Sequence, residues 1–356
     1  MAVEDATPTR VDHRRLERLC VQLFRCAGLS ADHAGIVGAA LVETDLRGVY
    51  THGVIRLPFY VRRLQQGGDN PNPTLRIERE TMATAVFDGD RAPGHVVSHH
   101  AMQLAIEKAK AAGIGYVAAK NSGHFGAAAL WSMMAIEHDM IGVVWTNGPP
   151  VMAAWGGKGA AIGNNPLSLA LPAQRHPPLV FDGAFSKVAG GKVRLAAKKG
   201  ERVPDDWIVD AAGNPSTDPN DLPNGGALLP LGYKGYGLAV AAEALAGLLP
   251  GGAILDEIPM WFQFPGQPTR ISHVMMALHI EAFSDVDHYK RRVDELIDQL
   301  RGQETAAGAT EVLVPGEIEH RMVVSQRRDG VELPRNVVED LRTLRREFGL
   351  TQDWDP

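Results

Sequence analysis

The sequence predicts an α/β protein in which a helical lobe, built from both chain ends, surrounds a central lobe of strands and helices. The 356 residues are 45% apolar, which is enough to bury a large core. Both ends of the chain show the apolar spacing of amphipathic helices, whereas apolar β runs alternate with helices from about residue 76 onward. Taken alone, this alternation favours a parallel sheet.

The N-terminal segment 12–48 is predicted to form two helices. The apolar residues of the first helix fall on one stripe: Leu16, Leu19, Leu23 and Phe24. Ser30 is placed to cap a second helix that runs to about Leu46. A third short helix over 56–64 should end at Gly67, and the loop 69–73 is the best first boundary.

The central segment contains apolar β runs at 84–89, 114–120, 140–147, 165–172 and 177–183, with helices predicted at 97–113 and 127–138. Residues 200–228 are rich in Gly, Pro and Asp and are predicted to be irregular. The apolar helix 236–249 that follows is too short to span a bilayer and is predicted to be buried. The remaining elements are a strand at 273–283, an amphipathic helix at 285–302, a short strand and turn at 312–317, and a closing helix at 336–349.

Composition excludes several classes of function. The net charge of −6, with mixed signs, argues against a nucleic-acid surface. Cys20 and Cys26 lie on one predicted helix with a spacing that fits neither a metal knuckle nor a redox pair, so a reducing compartment is expected. The first ten residues carry acids and no apolar block, unlike a signal peptide. We therefore expect a soluble cytoplasmic protein without a metal site.

The stretch "RGVYTHGVIRLPFYVRRL" places His52 and Arg56 four residues apart. If the helix already begins near His52, the two side chains share one face. If it begins only at Arg56, their convergence is not predicted. A guanidinium can hold a carboxylate, and an imidazole beside it can pass a proton to the oxygen on the neighbouring carbon, so the pair suits a 2-oxo acid. The alternative is a surface helix start with ordinary charges.

Glycine-rich turns supply further candidates. "NSGHFGA" follows a strand and precedes a helix, so His124 should lie where α/β proteins bind ligands, unless the turn is a plain helix cap. "LLPLGYKGYGLAV" puts Tyr233 and Lys234 at a helix start suited to a phosphate, or in a plain loop with a solvated lysine. "VFDGAFSKVAGGK" could meet ribose hydroxyls through Asp182, although the string alone favours a helix start.

A Rossmann phosphate loop is not predicted. The nearest string to G-x-G-x-x-G is "GGKGAAIGNNP", in which Pro166 stands where a helix should be propagating. This string is predicted to be a turn that leads into the strand 165–172.

Six strings in register resemble the malate/L-lactate dehydrogenase family that lacks a Rossmann domain. They are "RGVYTHGVIRLPFYVRRL", "NSGHFGAA", "GNNPLSLALPA", "GNPSTDP", "LPLGYKGYGLAV" and "VLVPGE". The resemblance covers roughly residues 12 to 350. Relatives in this family include ureidoglycolate dehydrogenase, diketogulonate reductase, sulfolactate dehydrogenase and the reductase of Δ1-piperideine-2-carboxylate.

The resemblance implies roles for named residues. His52 matches a histidine that acts as acid or base, and Arg56 matches an arginine that holds the substrate carboxylate. Thr51 stands where the family usually has serine, and His124 matches a second active-site histidine. The cofactor-binding positions implied by the resemblance are Asp182, Gly183, Ala184, Phe185, Ser186, Tyr233, Lys234, Pro315, Gly316 and Glu317.

The sequence departs from the family pattern at several positions. Gly183 and Phe185 alter a stretch that usually reads like "DMATS", and the loop around Tyr233 looks one residue short. Gly148 replaces a common hydroxyl residue, and His279 with Ile280 replaces a common Asp-Pro. These departures affect the expected substrate and cofactor preference. They also support an alternative hypothesis, in which the protein is a catalytically impaired member of the family that binds a small acid or a nucleotide.

The resemblance also implies a fold and partners. We expect a non-Rossmann cofactor domain with a large mixed, mostly antiparallel sheet over 76–284, and a helical substrate-binding domain of 1–75 completed by 285–356. The expected activity is hydride transfer between NAD or NADP and C2 of a small 2-oxo or 2-imino acid. The expected partners are a small carboxylate substrate and a second copy in a homodimer, with neither nucleic acid nor membrane.

Overall fold

The computed structural model describes residues 9–350 and Trp354. The helices are α1 His13–Cys26, α2 Ala31–Leu46, α3 Leu57–Gln66, α4 Gly94–Ala112, α5 Ala128–Met134, α6 Gly190–Lys199, α7 Gly232–Ala242, α8 Val286–Arg301, α9 Glu317–Asp329 and α10 Arg335–Glu347. Within this described part of the chain, no helix combines the length and apolar character needed to cross a membrane.

The strands are mostly short. They are β1 Thr9–Val11, β2 Arg76–Glu80, β3 Thr84–Asp88, β4 Ile114–Ser122, β5 Met140–Thr146, β6 Met152–Ala153, β7 Ala160–Ile162, β8 Leu167–Leu171, β9 Leu179–Gly183, β10 Ile208–Val209, β11 Pro215–Ser216, β12 Ala227–Leu228, β13 Ile271–His279 and β14 Val331–Leu333. They form a seven-stranded, a five-stranded and a two-stranded sheet.

The seven-stranded sheet is mixed and mostly antiparallel, as the family resemblance implies. Its order is β2-β3-β4-β13-β5-β8-β9, and only β3 and β4 run parallel. The expectation of a parallel sheet from strand-helix alternation was wrong. The reason is that β13, from far along the chain, enters between β4 and β5 and pairs antiparallel with both. Local alternation carries no information about such an insertion.

Elements from both chain ends pack together. β1 pairs with β14, so that Val11 faces Val331. The apolar stripe of α1 is buried together with residues of α2 and α10 in one core cluster. Ser30 caps α2 through the backbone N–H of His33, 3.2 Å away. The domain boundaries at 75, 76, 284 and 285 remain a prediction.

Three local predictions were wrong. Residues 312–314 form no strand, although the predicted turn is present at Pro315 and Gly316; the turn leads into α9, a helix that the sequence did not predict. Residues 200–228, predicted to be irregular, contain β10, β11 and β12, which join β6 and β7 in the five-stranded sheet. Helix α7 and its π continuation Glu243–Leu248 are only half-buried, and Leu238 and Leu248 are exposed.

Candidate active site

The loop 51–56 brings His52 and Arg56 together by folding back on itself. His52 precedes a 3₁₀ turn over Val54–Arg56, after which α3 begins. The Nε of Arg56 donates a 2.7 Å hydrogen bond to the carbonyl of Thr51, and the Thr51 hydroxyl lies 2.8 Å from Nδ1 of His52. The convergence therefore arises from this turn and not from one shared helical face, which resolves the alternative left open by the sequence.

A buried carboxyl group supports the loop from behind. Asp45, on α2, is 1% exposed and accepts a 2.8 Å hydrogen bond from the backbone N–H of Val54. A Cβ added at Gly53 would lie 1.9 Å from Oδ1 of Asp45, so the carboxyl packs directly on this glycine. Burial raises the pKa of Asp45 to about 8. The shape of the loop beside His52 thus depends on the absence of a side chain at residue 53.

This contact predicts that Gly53→Ala lowers the free energy of unfolding by about 1–3 kcal/mol, because overpacking against a buried group forces backbone movement. The matched control is Gly35→Ala on α2, where a Cβ meets nothing within 4 Å. Replacing a helical glycine by alanine should stabilise the protein by about 0.5–1 kcal/mol. Urea denaturation of both variants measures the difference, and equal effects would show that Asp45 does not constrain the loop.

Rings from four separate segments meet beside this loop. The ring centroids of His52 and His124 are 5.6 Å apart, and the rings are nearly parallel, at 21°. His124 also stacks on Trp261 at 4.7 Å. Tyr60, one turn after Arg56, stacks on Trp261 at 5.7 Å. Cζ of Arg56 lies 5.4 Å from the centroid of the Trp261 ring, as in a cation–π contact.

The hydrogen bonds of His124 fix its tautomer. The turn after β4 places Nδ1 of His124 2.7 Å from the Tyr60 hydroxyl, and the backbone N–H of Gly126 also donates to Nδ1, at 3.4 Å. Burial, and in second place the proximity of the titratable groups of His52 and Arg56, holds the pKa of His124 well below its usual range. In this neutral ring Nδ1 is the acceptor, so Tyr60 donates to it and Nε2 carries the proton. Nε2–H is therefore available as a hydrogen-bond donor.

His52 is also neutral at physiological pH. Burial is the larger cause, and the charge of Arg56 the smaller one, of a pKa of His52 that is lowered to about 4. Across residues 9–350 and Trp354, no carboxylate forms an ion pair with Arg56. The loop therefore presents a permanent cation with an uncharged imidazole next to it.

Two further histidines lie behind the cluster and carry no charge. His95 is 1% exposed, meets the Tyr60 ring edge-on at 5.1 Å, and has no hydrogen-bond partner on either ring nitrogen. His273 is held between the hydroxyls of Thr146 and Ser122, each 2.8 Å away. Burial lowers the pKa of both rings to about 3.

In the described residues, no group of three or more His, Cys, Asp or Glu has the arrangement of a metal site.

The lowered pKa of His95 predicts a dependence of stability on pH. The unfolded chain protonates this imidazole near pH 6.5 and the folded protein only near 3, so its contribution is complete above 6.5 and is lost as pH falls toward 3. Between pH 7.5 and pH 5, His95→Leu should therefore gain about 2 kcal/mol of unfolding free energy relative to the parent. Denaturant titrations at the two pH values measure this. A pH-independent difference would show that folding does not lower the pKa of His95.

The predicted cofactor positions also converge. The backbone N–H of Val180, on β9, donates to the carbonyl of Pro315 at 3.1 Å, and a Cβ at Gly316 would lie 2.9 Å from the Val180 backbone. Gly316 has φ +87°, so glycine is required both for this conformation and for the close approach to β9. Phe185, just after β9, accepts a 2.8 Å hydrogen bond from the N–H of Leu231, which directly precedes α7. Three stretches distant in sequence thus share one edge of the structure.

The members of these stretches differ in what they contact. Asp182 accepts a 2.8 Å hydrogen bond from the N–H of Ala129 in the first turn of α5, and so connects β9 to the helix that follows the turn of His124. Phe185 and Ser186 are buried, and the Ser186 hydroxyl donates to the Val188 carbonyl. Gly183 and Ala184 are half-buried beside them.

The remaining cofactor positions divide into paired and free side chains. Glu317 is buried and forms ion pairs with Arg301 and Arg321, so its carboxylate is occupied. Tyr233 and Lys234 are exposed at the start of α7, with Nζ of Lys234 5.9 Å from the Tyr233 ring centroid. Among the described residues, Lys234 has no carboxylate partner.

The residues at which the sequence departs from the family pattern lie in different parts of the structure. A Cβ at Gly148 would meet nothing within 4 Å, so space is available there for a side chain. His279 is the last residue of β13 and Ile280 follows it, whereas Ile271 at the start of the strand pairs with Ser122, next to the turn of His124. This Asp-Pro replacement is therefore at the opposite end of the strand from the candidate site.

Tyr60 and Trp261 belong to the candidate site but were not predicted from the sequence. Tyr60 follows Arg56 by four residues, and the spacing of a helix face could have identified it. Trp261 lies in an irregular segment, and no local pattern indicates its position. Arg63 holds that segment in place: it donates to the Trp261 carbonyl at 3.3 Å and pairs with Asp69 at 2.8 Å.

Known proteins of similar sequence are dehydrogenases. The chain is 38% identical to the L-sulfolactate dehydrogenase of Methanocaldococcus jannaschii, over 94% of this chain and 96% of that protein. It is 32% identical to the (2R)-3-sulfolactate dehydrogenase (NADP(+)) of Chromohalobacter salexigens, over 92% of this chain and 96% of that protein.

The fold is similar as well. The crystal structure of malate dehydrogenase from Entamoeba histolytica superimposes with a TM-score of 0.93 and 30% identity, over 98% of this chain and all (100%) of that one. The family described as malate/L-lactate dehydrogenase matches residues 11–342. The chain therefore belongs to the malate/L-lactate dehydrogenase family.

Proposed function

We propose that the protein transfers a hydride reversibly between NAD or NADP and C2 of a small 2-oxo or 2-imino acid. The observation that carries this proposal is the cluster of His52, Arg56 and His124, in which an unpaired guanidinium lies beside two neutral imidazoles. A carboxylate with an oxygen on the adjacent carbon complements this set of groups.

The described residues fit a nicotinamide nucleotide. The free cation of Lys234 at a helix start suits a phosphate, and Gly183 and Ala184 are half-buried, so part of their backbone is accessible to a ligand. When bound, the nicotinamide ring supplies or accepts the hydride. Asp182 supports this edge through its hydrogen bond to α5, and Pro315 and Gly316 support it through their contacts with β9.

Arg56 binds the carboxylate of the substrate and so orients C2. Its guanidinium is held from one side by the Thr51 carbonyl and lies over Trp261, which leaves its other donors for a ligand. Nε2–H of His124 donates to the oxygen or nitrogen on C2. The roles of Arg56 and His124 both require that their donors be positioned before substrate binds, and the stacked aromatic rings hold these side chains in place.

His52 exchanges the proton with the oxygen on C2. Neutral His52 is the form that a general base needs when a 2-hydroxy acid is oxidised. Reduction requires the protonated form. A carboxylate bound to Arg56 neutralises the charge that helps to lower the pKa of His52, so substrate binding itself shifts the imidazole toward protonation. Thr51 orients the ring through Nδ1.

The test is a nicotinamide absorbance assay with NADH and with NADPH, each offered pyruvate, oxaloacetate and a cyclic imino acid. Consumption of reduced nucleotide that depends on the acid is the expected result. The rival is a catalytically impaired member that binds a small acid or a nucleotide, and the altered Gly148, Gly183 and Phe185 favour it. Nucleotide binding without turnover of any of the acids would support that rival.

The assembly and location are part of the proposal. Leu238 on α7, Leu248 on its continuation and the following Leu249 are exposed apolar residues that a second copy of the chain would cover. We propose a homodimer on this basis. We also propose a cytoplasmic location, and that the helical domain, 1–75 with 285–356, binds the substrate while 76–284 binds the nucleotide. Sedimentation of the purified protein measures the assembly.

A further inference from the structure

A second arginine lies close to the substrate arginine. Arg194 is on α6, and its guanidinium folds back toward the start of that helix: a Cβ added at Gly190 would lie 3.6 Å from its Nη1. Helical side chains normally lean toward the N-terminal end in this way. The charge of Arg194 is therefore located at the first turn of α6.

The first turn of α6 faces the loop that carries His52. A Cβ added at Gly191 would lie 3.5 Å from Cγ2 of Thr51, which is ordinary van der Waals contact. Thr51 directly precedes His52 and holds its ring through the 2.8 Å contact to Nδ1. The helix turn next to the Arg194 guanidinium is thus a wall of the candidate active site.

The two guanidinium groups lie on adjacent aromatic rings. Cζ of Arg56 is 5.4 Å from the centroid of Trp261, and Cζ of Arg194 is 5.9 Å from the centroid of Phe262. The two rings are 5.6 Å apart and nearly perpendicular, at 84°. As for Arg56, no carboxylate from the described residues pairs with Arg194.

This arrangement leaves two like charges close together without a counter-ion. Arg194 is exposed, yet partial desolvation by the surrounding protein is the main cause, and the charge of Arg56 the second cause, of a lowered pKa for its guanidinium. One substrate carboxylate compensates only Arg56. A ligand that carries two acidic groups compensates both cations and removes their repulsion.

We propose that Arg194 determines substrate specificity by binding a second acidic group, a carboxylate or a sulfonate, on the carbon chain beyond C2. The preferred substrates are then 2-oxo and 2-hydroxy acids with two acidic groups. This inference rests on the proposed hydride transfer and on Arg56 as the ligand of the first carboxylate.

The experiment measures kcat and KM with pyruvate, which has one acidic group, and with oxaloacetate and 3-sulfopyruvate, which have two. Arg194→Ala should lower kcat/KM for the two-acid substrates about 10- to 100-fold, mainly through KM, because a charge-assisted contact is lost. Its activity with pyruvate should change by less than about threefold. Arg194→Lys should recover part of the loss, since it keeps the charge but not the planar fork.

Lys198→Ala is the matched control, because it removes an exposed cation from the other end of the same helix. It should leave all three substrates unchanged. The inference is wrong if the parent protein uses pyruvate as well as the two-acid substrates, or if Arg194→Ala affects all of them in equal proportion; hydride transfer would then still stand. If no acid oxidises NADH or NADPH in the parent protein, the proposed function fails and this inference fails with it.

Discussion

His52→Ala should lower kcat in both directions by about 10²- to 10⁴-fold, the usual contribution of a positioned acid or base. The change removes the imidazole that lies next to Arg56, while the Asp45 hydrogen bond to Val54 continues to hold the loop. Affinity for NADH or NADPH, measured by nucleotide fluorescence, should remain within about threefold of the parent. The loss of rate then reports proton transfer and not loss of the cofactor.

The control for this prediction is His288→Ala, which removes an exposed imidazole from α8. Its kcat should equal that of the parent. If His52→Ala kept nearly full activity, proton transfer would have to be assigned elsewhere, and His124 with its proton on Nε2 is the alternative. His124→Ala would distinguish the two, because under the present assignment it weakens substrate orientation but leaves the proton carrier in place.

Arg63→Ala should have the largest effect on stability. Arg63 is 1% exposed, and its guanidinium pairs with the buried Asp69 at 2.8 Å. Removing one partner of a buried ion pair leaves the other charge uncompensated, which costs about 3–5 kcal/mol. The same guanidinium donates to the carbonyls of Trp261 and Gln267. The variant should therefore also loosen the segment that carries Trp261 and reduce activity.

A double variant separates charge from packing. Arg63→Met combined with Asp69→Leu removes both charges and keeps apolar volume, so it should be more stable than Arg63→Ala by at least about 2 kcal/mol. Denaturant titration measures both free energies of unfolding. If the single and double variants were equally unstable, the hydrogen bonds to the 261–267 segment, and not the buried charge of Asp69, would account for the loss.

Local sequence patterns predicted elements whose causes are local. The apolar stripe of α1, the Ser30 cap of α2 and the end of α4 at Gly113 each depend on a few neighbouring residues, and all are present. Long-range features were not accessible in this way. The position of β13 between β4 and β5 depends on pairing between distant segments, which strand-helix alternation cannot reveal.

The distinction between features with local causes and long-range features also applies to the candidate site. His52 and Arg56 could be identified because they lie in one short string, and their convergence follows from a single turn. Trp261 could not be identified, because its position depends on the buried hydrogen bond from Arg63 to its carbonyl. The exposed face of α7 was missed because a run of apolar residues does not show whether the protein's own core or another chain covers it.

The most direct test of the central claim is a crystal structure of the protein with NADH and oxamate, an analogue of pyruvate that cannot be reduced. The account predicts that the oxamate carboxylate binds the guanidinium of Arg56 and that its amide group lies within hydrogen-bond distance of His52 and His124. The nucleotide phosphates should lie near Lys234. A structure in which both ligands bind away from the 51–56 loop, with His52 facing only protein or solvent, would contradict the account.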